Sequence, residues 1–120
     1  MILDPYTSAG NWTSYQEFIE HSLGEFSVAK NTYVKGKTGW FSCRSACYLA
    51  MGKPVVTQDT GWSKIITSGK GLFAFDDLET ATTALEEVIA DYVQQSLFAK
   101  QIAKEYFDSN KVLNQLLYQL

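Results

Sequence analysis

The amino-acid sequence predicts an α/β chain: a short parallel sheet early on, with helices toward the C-terminus. Three observations carry that class. Pro54-Val55-Val56-Thr57 and Leu72-Phe73-Ala74-Phe75 are short apolar runs, the pattern of strands buried on both faces. A helix-forming stretch from Cys43 to Met51 separates the first run from an extended segment at Glu25 to Ala29. Beyond Asp76, apolar residues recur at helical spacing. Strands alternating with helices build parallel sheets, because two parallel strands need a crossover between them.

The elements follow in order. Met1 to Trp12 holds Asp4-Pro5, Ser8, Gly10 and Asn11, all turn formers, and is expected to be irregular. Ser14-x-x-Glu17 is a capping-box pattern that opens a helix to about Ser22, with Tyr15, Phe18, Ile19 and Leu23 as its apolar face and Gly24 as its stop. Glu25 to Ala29 reads as a strand, followed by a loop carrying Lys30, Lys35 and Lys37. Thr38-Gly39 turns the chain, Ser42 caps the Cys43–Met51 helix, Gly52 ends it and Pro54 prevents its continuation. Gln58 to Gly61 is a loop beyond the Val55-Val56 strand, and Ser68-Gly69-Lys70-Gly71 is a turn without a phosphate-loop pattern around it. Asp76 and Asp77 cap a long helix that packs through Ala81, Leu85, Val88, Ile89 and Tyr92. After a break at Asp91 to Ser96, a helix from Leu97 to Phe107 turns Phe98, Ile102 and Phe107 inward. Lys111 to Leu120 forms a last amphipathic helix.

Composition narrows the function classes. A chain of 120 residues with 46% hydrophobic content is one domain with a real core. A formal net charge of -3, with no basic run between aromatics, gives no electrostatic case for nucleic acid. No apolar stretch is long enough to span a bilayer and the first residues are no signal peptide, so a cytoplasmic location is the expectation. Cys43 and Cys47 stand one helical turn apart and His21 is the only histidine, which falls short of a metal ligand set. Both thiols are expected to be small buried hydrophobes, and neither a metal nor a cofactor is expected.

Two loops could hold a ligand. The turn at Gly39 and the helix start at Ser42, Arg44 and Ser45 offer backbone N–H groups, hydroxyls and a planar guanidinium, which together suit phosphate oxygens. The same pattern more often marks an ordinary capped helix with one solvated arginine, since most helix N-termini bind only water. Asp59, Thr60 and Gly61 follow a strand's carboxyl end, where ligands of open α/β sheets bind; Asp59 would accept from a ribose or sugar hydroxyl, or simply close an Asx turn. Trp62 would stack on a base or sugar, or pack internally. Lys30, Lys35 and Lys37, near one strand end, could draw a diphosphate or simply stay solvated.

The blocks EFSVAKNTYV, GWFSCRSACYLAMGKPVV, TQDTGW and GKGLFAF, followed by AKQIAKEYFDSNKVLNQLL, resemble the C-terminal part of bacterial glycosyltransferases of the two-Rossmann (GT-B) type, family 1/4-like. The resemblance covers nearly the whole chain from Tyr15. It implies a partial Rossmann-like three-layer domain, the incomplete donor-binding half of a transferase whose acceptor domain lies elsewhere. It also implies a UDP- or GDP-linked sugar at Lys30, Gly39, Ser42, Arg44, Ser45, Asp59, Thr60 and Gly61. One departure stands out: where many retaining members carry a ribose-binding glutamate, this chain has Cys47. The competing class is a non-enzymatic α/β interaction module or truncated gene product, dimerising through Val112, Leu113, Leu116, Leu117 and Tyr118 of the last helix. A flavodoxin-like or response-regulator domain fits less well, since no acidic cluster follows the first strand.

Overall fold

Three short strands run parallel at the centre of the molecule: β1 (Glu25–Ser27), β2 (Val55–Gln58) and β3 (Leu72–Phe75), in that spatial order. The computed structural model describes residues 2–120. Register places Glu25, Val55 and Leu72 side by side, and Phe26, Val56 and Phe73 one step on. Alternation of side chains then assigns each trio to one face of the sheet.

The two faces carry separate cores, which makes the fold three-layered. Val55 and Leu72 pack under α2 (Trp12–Glu20), α4 (Cys43–Ala50) and α6 (Tyr92–Tyr106), through Ile19, Tyr48, Leu49, Ala99 and Ile102. Val56, Phe73 and Phe75 pack under α5 (Leu78–Ala90) through Ala81 and Ala84. The chain is thus α/β with a short parallel sheet flanked by helices, consistent with a partial Rossmann-like domain.

Local chemistry explains the boundaries. The Ser42 hydroxyl accepts from the Arg44 N–H at 3.2 Å and starts α4, and Gly52, at a φ of 71°, stops it. Asp77 caps α5 in a reciprocal box with Thr80, and bonds from the Thr80 backbone and hydroxyl hold its carboxyl below the usual range. Gly71, at a φ of 71°, lets the sheet approach α6 closely: a Cβ there would lie 2.3 Å from the Ala99 nitrogen.

Several boundaries differ from the sequence-based expectation. Residues Pro5–Ser8 form a short helix, α1, because the Asp4 side chain accepts from the Tyr6 N–H and Pro5 suits a first helical turn. Helix α2 begins at Trp12, with Asn11 as its cap and Ser14 as the reciprocal partner, so Glu17 has no capping role. A further helix, α3 (Asn31–Lys35), fills the lysine loop. The break before α6 shrinks to Asp91 alone, whose side chain caps the helix at once. Leu23, past the end of α2, is exposed, and so are Leu85 and Ile89, because α5 lies close on the sheet through its alanines instead. Cys43 is exposed rather than buried, while Cys47 packs against the core.

The last helix, α7 (Ser109–Tyr118), contributes no buried residue. Its apolar side chains from Val112 to Tyr118 stand exposed. No helix among the described residues is long and apolar enough to cross a membrane.

Candidate functional site

An open cleft of about 270 Å³ lies at the carboxyl ends of β1 and β2. Its floor is the end of the sheet, where the Ser27 and Thr57 hydroxyls bond at 2.9 Å across the strand pair. Past the strand end, the Gln58 side chain accepts from the Ala29 N–H at 3.1 Å and fixes the β1 exit. That exit leads straight into Lys30, the residue before α3, whose own side chain makes no cap and lines the cleft.

The far wall is aromatic. Tyr33, on α3, stacks on Trp40 with ring centroids 5.1 Å apart and 20° between planes. Both rings line the cleft and Trp40 is 51% exposed. The Trp40 backbone is pinned from below, since the buried Thr60 hydroxyl donates to its carbonyl at 2.7 Å. One residue earlier, the Gly39 N–H donates to the Thr60 carbonyl at 2.9 Å. These two bonds tie the loop before α4 to the loop after β2.

The third wall is the start of α4, with Ser42 and Arg44. Arg44 is not the unattached fork that the sequence led us to expect. Its Nε donates to Glu25 Oε1 at 2.6 Å, the one ion pair among the described residues. Hydrogen bonding to Glu25 raises the Arg44 pKa despite partial burial. The Glu25 side chain is 5% exposed whereas that of Arg44 is 50% exposed, so one partner lies inside the protein and the other reaches the cleft.

Of the eight residues singled out from sequence, four meet at this cleft: Lys30, Ser42, Arg44 and Thr60. The other four lie outside its lining. Gly39 supports it through Thr60. Ser45 is fully buried in α4 and its hydroxyl has no partner. Asp59 closes an Asx turn, accepting from the Gly61 N–H at 2.8 Å and from the Ser63 hydroxyl at 2.7 Å. Burial raises its pKa, but the bonds from Ser63 and Gly61, with the nearby Lys37 charge, outweigh that and lower it overall. Gly61 carries a φ of 102° in that same turn.

Trp62 is a packing residue, 1% exposed, edge-on to Phe41 with its indole N–H donating to the Gln58 carbonyl at 3.2 Å. The exposed tryptophan of the cleft is Trp40, which the sequence reading passed over. Glu25 was also missed. It alternates with Phe26 and Val28 along the strand, and the structure buries Glu25 and exposes both hydrophobes. Cys47, the position matched to a ribose-binding glutamate, lines a separate apolar groove with Trp12, Tyr15 and Met51.

No family model, curated protein or solved structure matches this chain. Function therefore rests on the cleft. Two cationic side chains, several hydroxyls and a half-exposed ring pair suit a ligand with both an anionic and a planar part. Among the described residues, no group of three or more His, Cys, Asp or Glu is placed to hold a metal ion.

Proposed function

We propose that this chain is the nucleotide-sugar-binding portion of a glycosyltransferase, with the diphosphate seated between Lys30 and the start of α4. The observation that carries the reading is the convergence of Lys30, Ser42, Arg44 and Thr60 at the carboxyl ends of two parallel strands. Ligands of open α/β sheets bind there, outside the strand ends. The Tyr33–Trp40 stack gives the planar part of a nucleotide a surface to lie on. In a transfer reaction, Lys30, Arg44 and the α4 N-terminus would stabilise negative charge growing on the leaving diphosphate. The acceptor site and any catalytic base belong to residues outside this chain, which is not competent alone.

The cleft also limits the reading. Position 47 is not on it, so a ribose would have to be held by other groups, such as the Ser27, Thr57 and Gln58 side chains at its floor. Calorimetric titration with UDP, GDP and their sugar conjugates tests the reading. Binding in the micromolar to millimolar range, weakened by Lys30→Ala, supports it; heat signals unchanged by that substitution contradict it.

A second reading has its own observation. The exposed apolar side of α7 favours an interaction module, with a second copy of this chain as one partner. Mass measurement in solution, comparing the wild type with Leu113→Lys, separates dimer from monomer.

A further inference from the structure

We infer that Glu25 is a positioning residue, which holds Arg44 by its Nε so that the rest of the guanidinium faces an anion in the cleft. The inference rests on the proposed anion-binding role of that cleft and names a residue that role does not otherwise require.

Placement is the first argument. Glu25 sits on a sheet face whose in-register neighbours, Val55 and Leu72, are fully buried hydrophobes. An apolar side chain would suit that position, and a buried ion pair is a weak source of stability compared with apolar packing. The carboxylate is better explained by what it orients. A single bond of 2.6 Å to Nε fixes the guanidinium, and no Nη atom has a protein partner among the described residues. Both Nη groups therefore keep their donors for a ligand, and Arg44 lines the cleft.

The second argument is the unused oxygen. Glu25 Oε2 is buried and has no hydrogen-bond partner, as is Ser45 Oγ, on the residue after Arg44. Here the carboxylate is committed to Arg44 alone, so the guanidinium has one strong anchor. An anchored arginine loses less freedom on gripping an anion than a solvated one, which is the benefit of preorganisation.

The sign of one substitution separates positioning from simple charge balance. If Glu25 only neutralised Arg44, removing its charge would leave the cleft more positive and tighten anion binding. Positioning predicts the reverse. Arg44 is the chain's only arginine, so its Nε–H gives a single side-chain nitrogen-15 NMR resonance that reports the anchor directly.

The experiment measures that resonance and the affinity for inorganic pyrophosphate in wild type, Glu25→Gln and Glu25→Asp, with thermal midpoints recorded for each. The wild type is expected to show an Nε–H protected from solvent exchange at neutral pH, and less protected in Glu25→Gln, whose neutral amide oxygen makes a weaker bond. Pyrophosphate affinity should fall about tenfold in Glu25→Gln, the loss of one charge-assisted hydrogen bond's orientation. Glu25→Asp keeps the charge on a side chain one methylene shorter, and should weaken binding as well.

An unprotected Nε–H in the wild type overturns the inference without recourse to any variant. So does wild-type binding that Glu25→Gln leaves unchanged or tightens, or that Glu25→Asp preserves in full; the cleft's anion role survives those results. Absence of pyrophosphate binding by the wild type, with the Nε–H protected, overturns the cleft reading and this inference with it.

Discussion

Helix α4 borders two hollows of opposite character. Its first turn gives Ser42 and Arg44 to the polar cleft at the strand ends, while Cys47, Ala50 and Met51 line an apolar groove against α2. The groove, about 210 Å³, is walled by Trp12, Tyr15 and Ile19, and burial raises the Tyr15 pKa, with Cys47 adding to the effect. One helix thus divides its labour along its length. Its N-terminal end meets the strand ends and presents charge, hydroxyls and backbone N–H groups, and its later turns join the core. A substitution in the groove should change stability and leave ligand binding alone, whereas one in the cleft should do the opposite. Arg44 is the exception, because its partner Glu25 is inside.

The largest expected effect is in the groove. Ile19→Ala removes a side chain that is fully buried in the core and should cost about 3 kcal/mol in denaturant unfolding. Nucleotide affinity of the folded variant should be unchanged. A parallel loss of affinity would show that the two hollows are not independent.

Next comes the exception. Arg44→Ala strands the Glu25 carboxylate and should destabilise the fold by about 2 kcal/mol, below the about 3–5 kcal/mol of a fully buried pair because Arg44 is half in solvent. Binding should weaken too, so this variant reports on both regions at once. Lys30→Ala gives the cleaner contrast: no ion pair involves Lys30 among the described residues, and the thermal midpoint should stay fixed. Its diphosphate affinity should fall about fivefold at low salt, and the difference from wild type should shrink as salt rises.

The smallest effect is a matter of pH. Asp59 is held below its ordinary value, so its contribution to stability is present above the unfolded carboxyl value of about 4 and is lost as pH falls through the folded one. Asp59→Asn should remove that acid-side slope. Since Asp59 lies outside the cleft lining, nucleotide affinity at neutral pH should not move.

The sheet was legible from sequence because β2 and β3 are buried on both faces and so read as unbroken apolar runs. The start of α4 was legible for a similar reason, since Ser42 and Gly52 act through their own backbone neighbours. What sequence could not resolve was which face of β1 turns inward. EFSV alternates, but alternation is symmetric, and the Glu25–Arg44 ion pair on the inward side joins residues 19 positions apart. The same limit hid Trp40, whose place in the cleft depends on a bond from Thr60, 20 positions away. It also favoured Leu85 over Ala84 in α5, since close helix–sheet packing chooses small residues that hydrophobic patterns underweight.

Calorimetric titration of the wild type and Lys30→Ala with UDP and GDP tests the central claim most directly. The cleft reading predicts saturable 1:1 binding to the wild type and weaker binding to the variant, with matched thermal midpoints. No heat of binding up to millimolar nucleotide, from a chain shown to be folded, would contradict it.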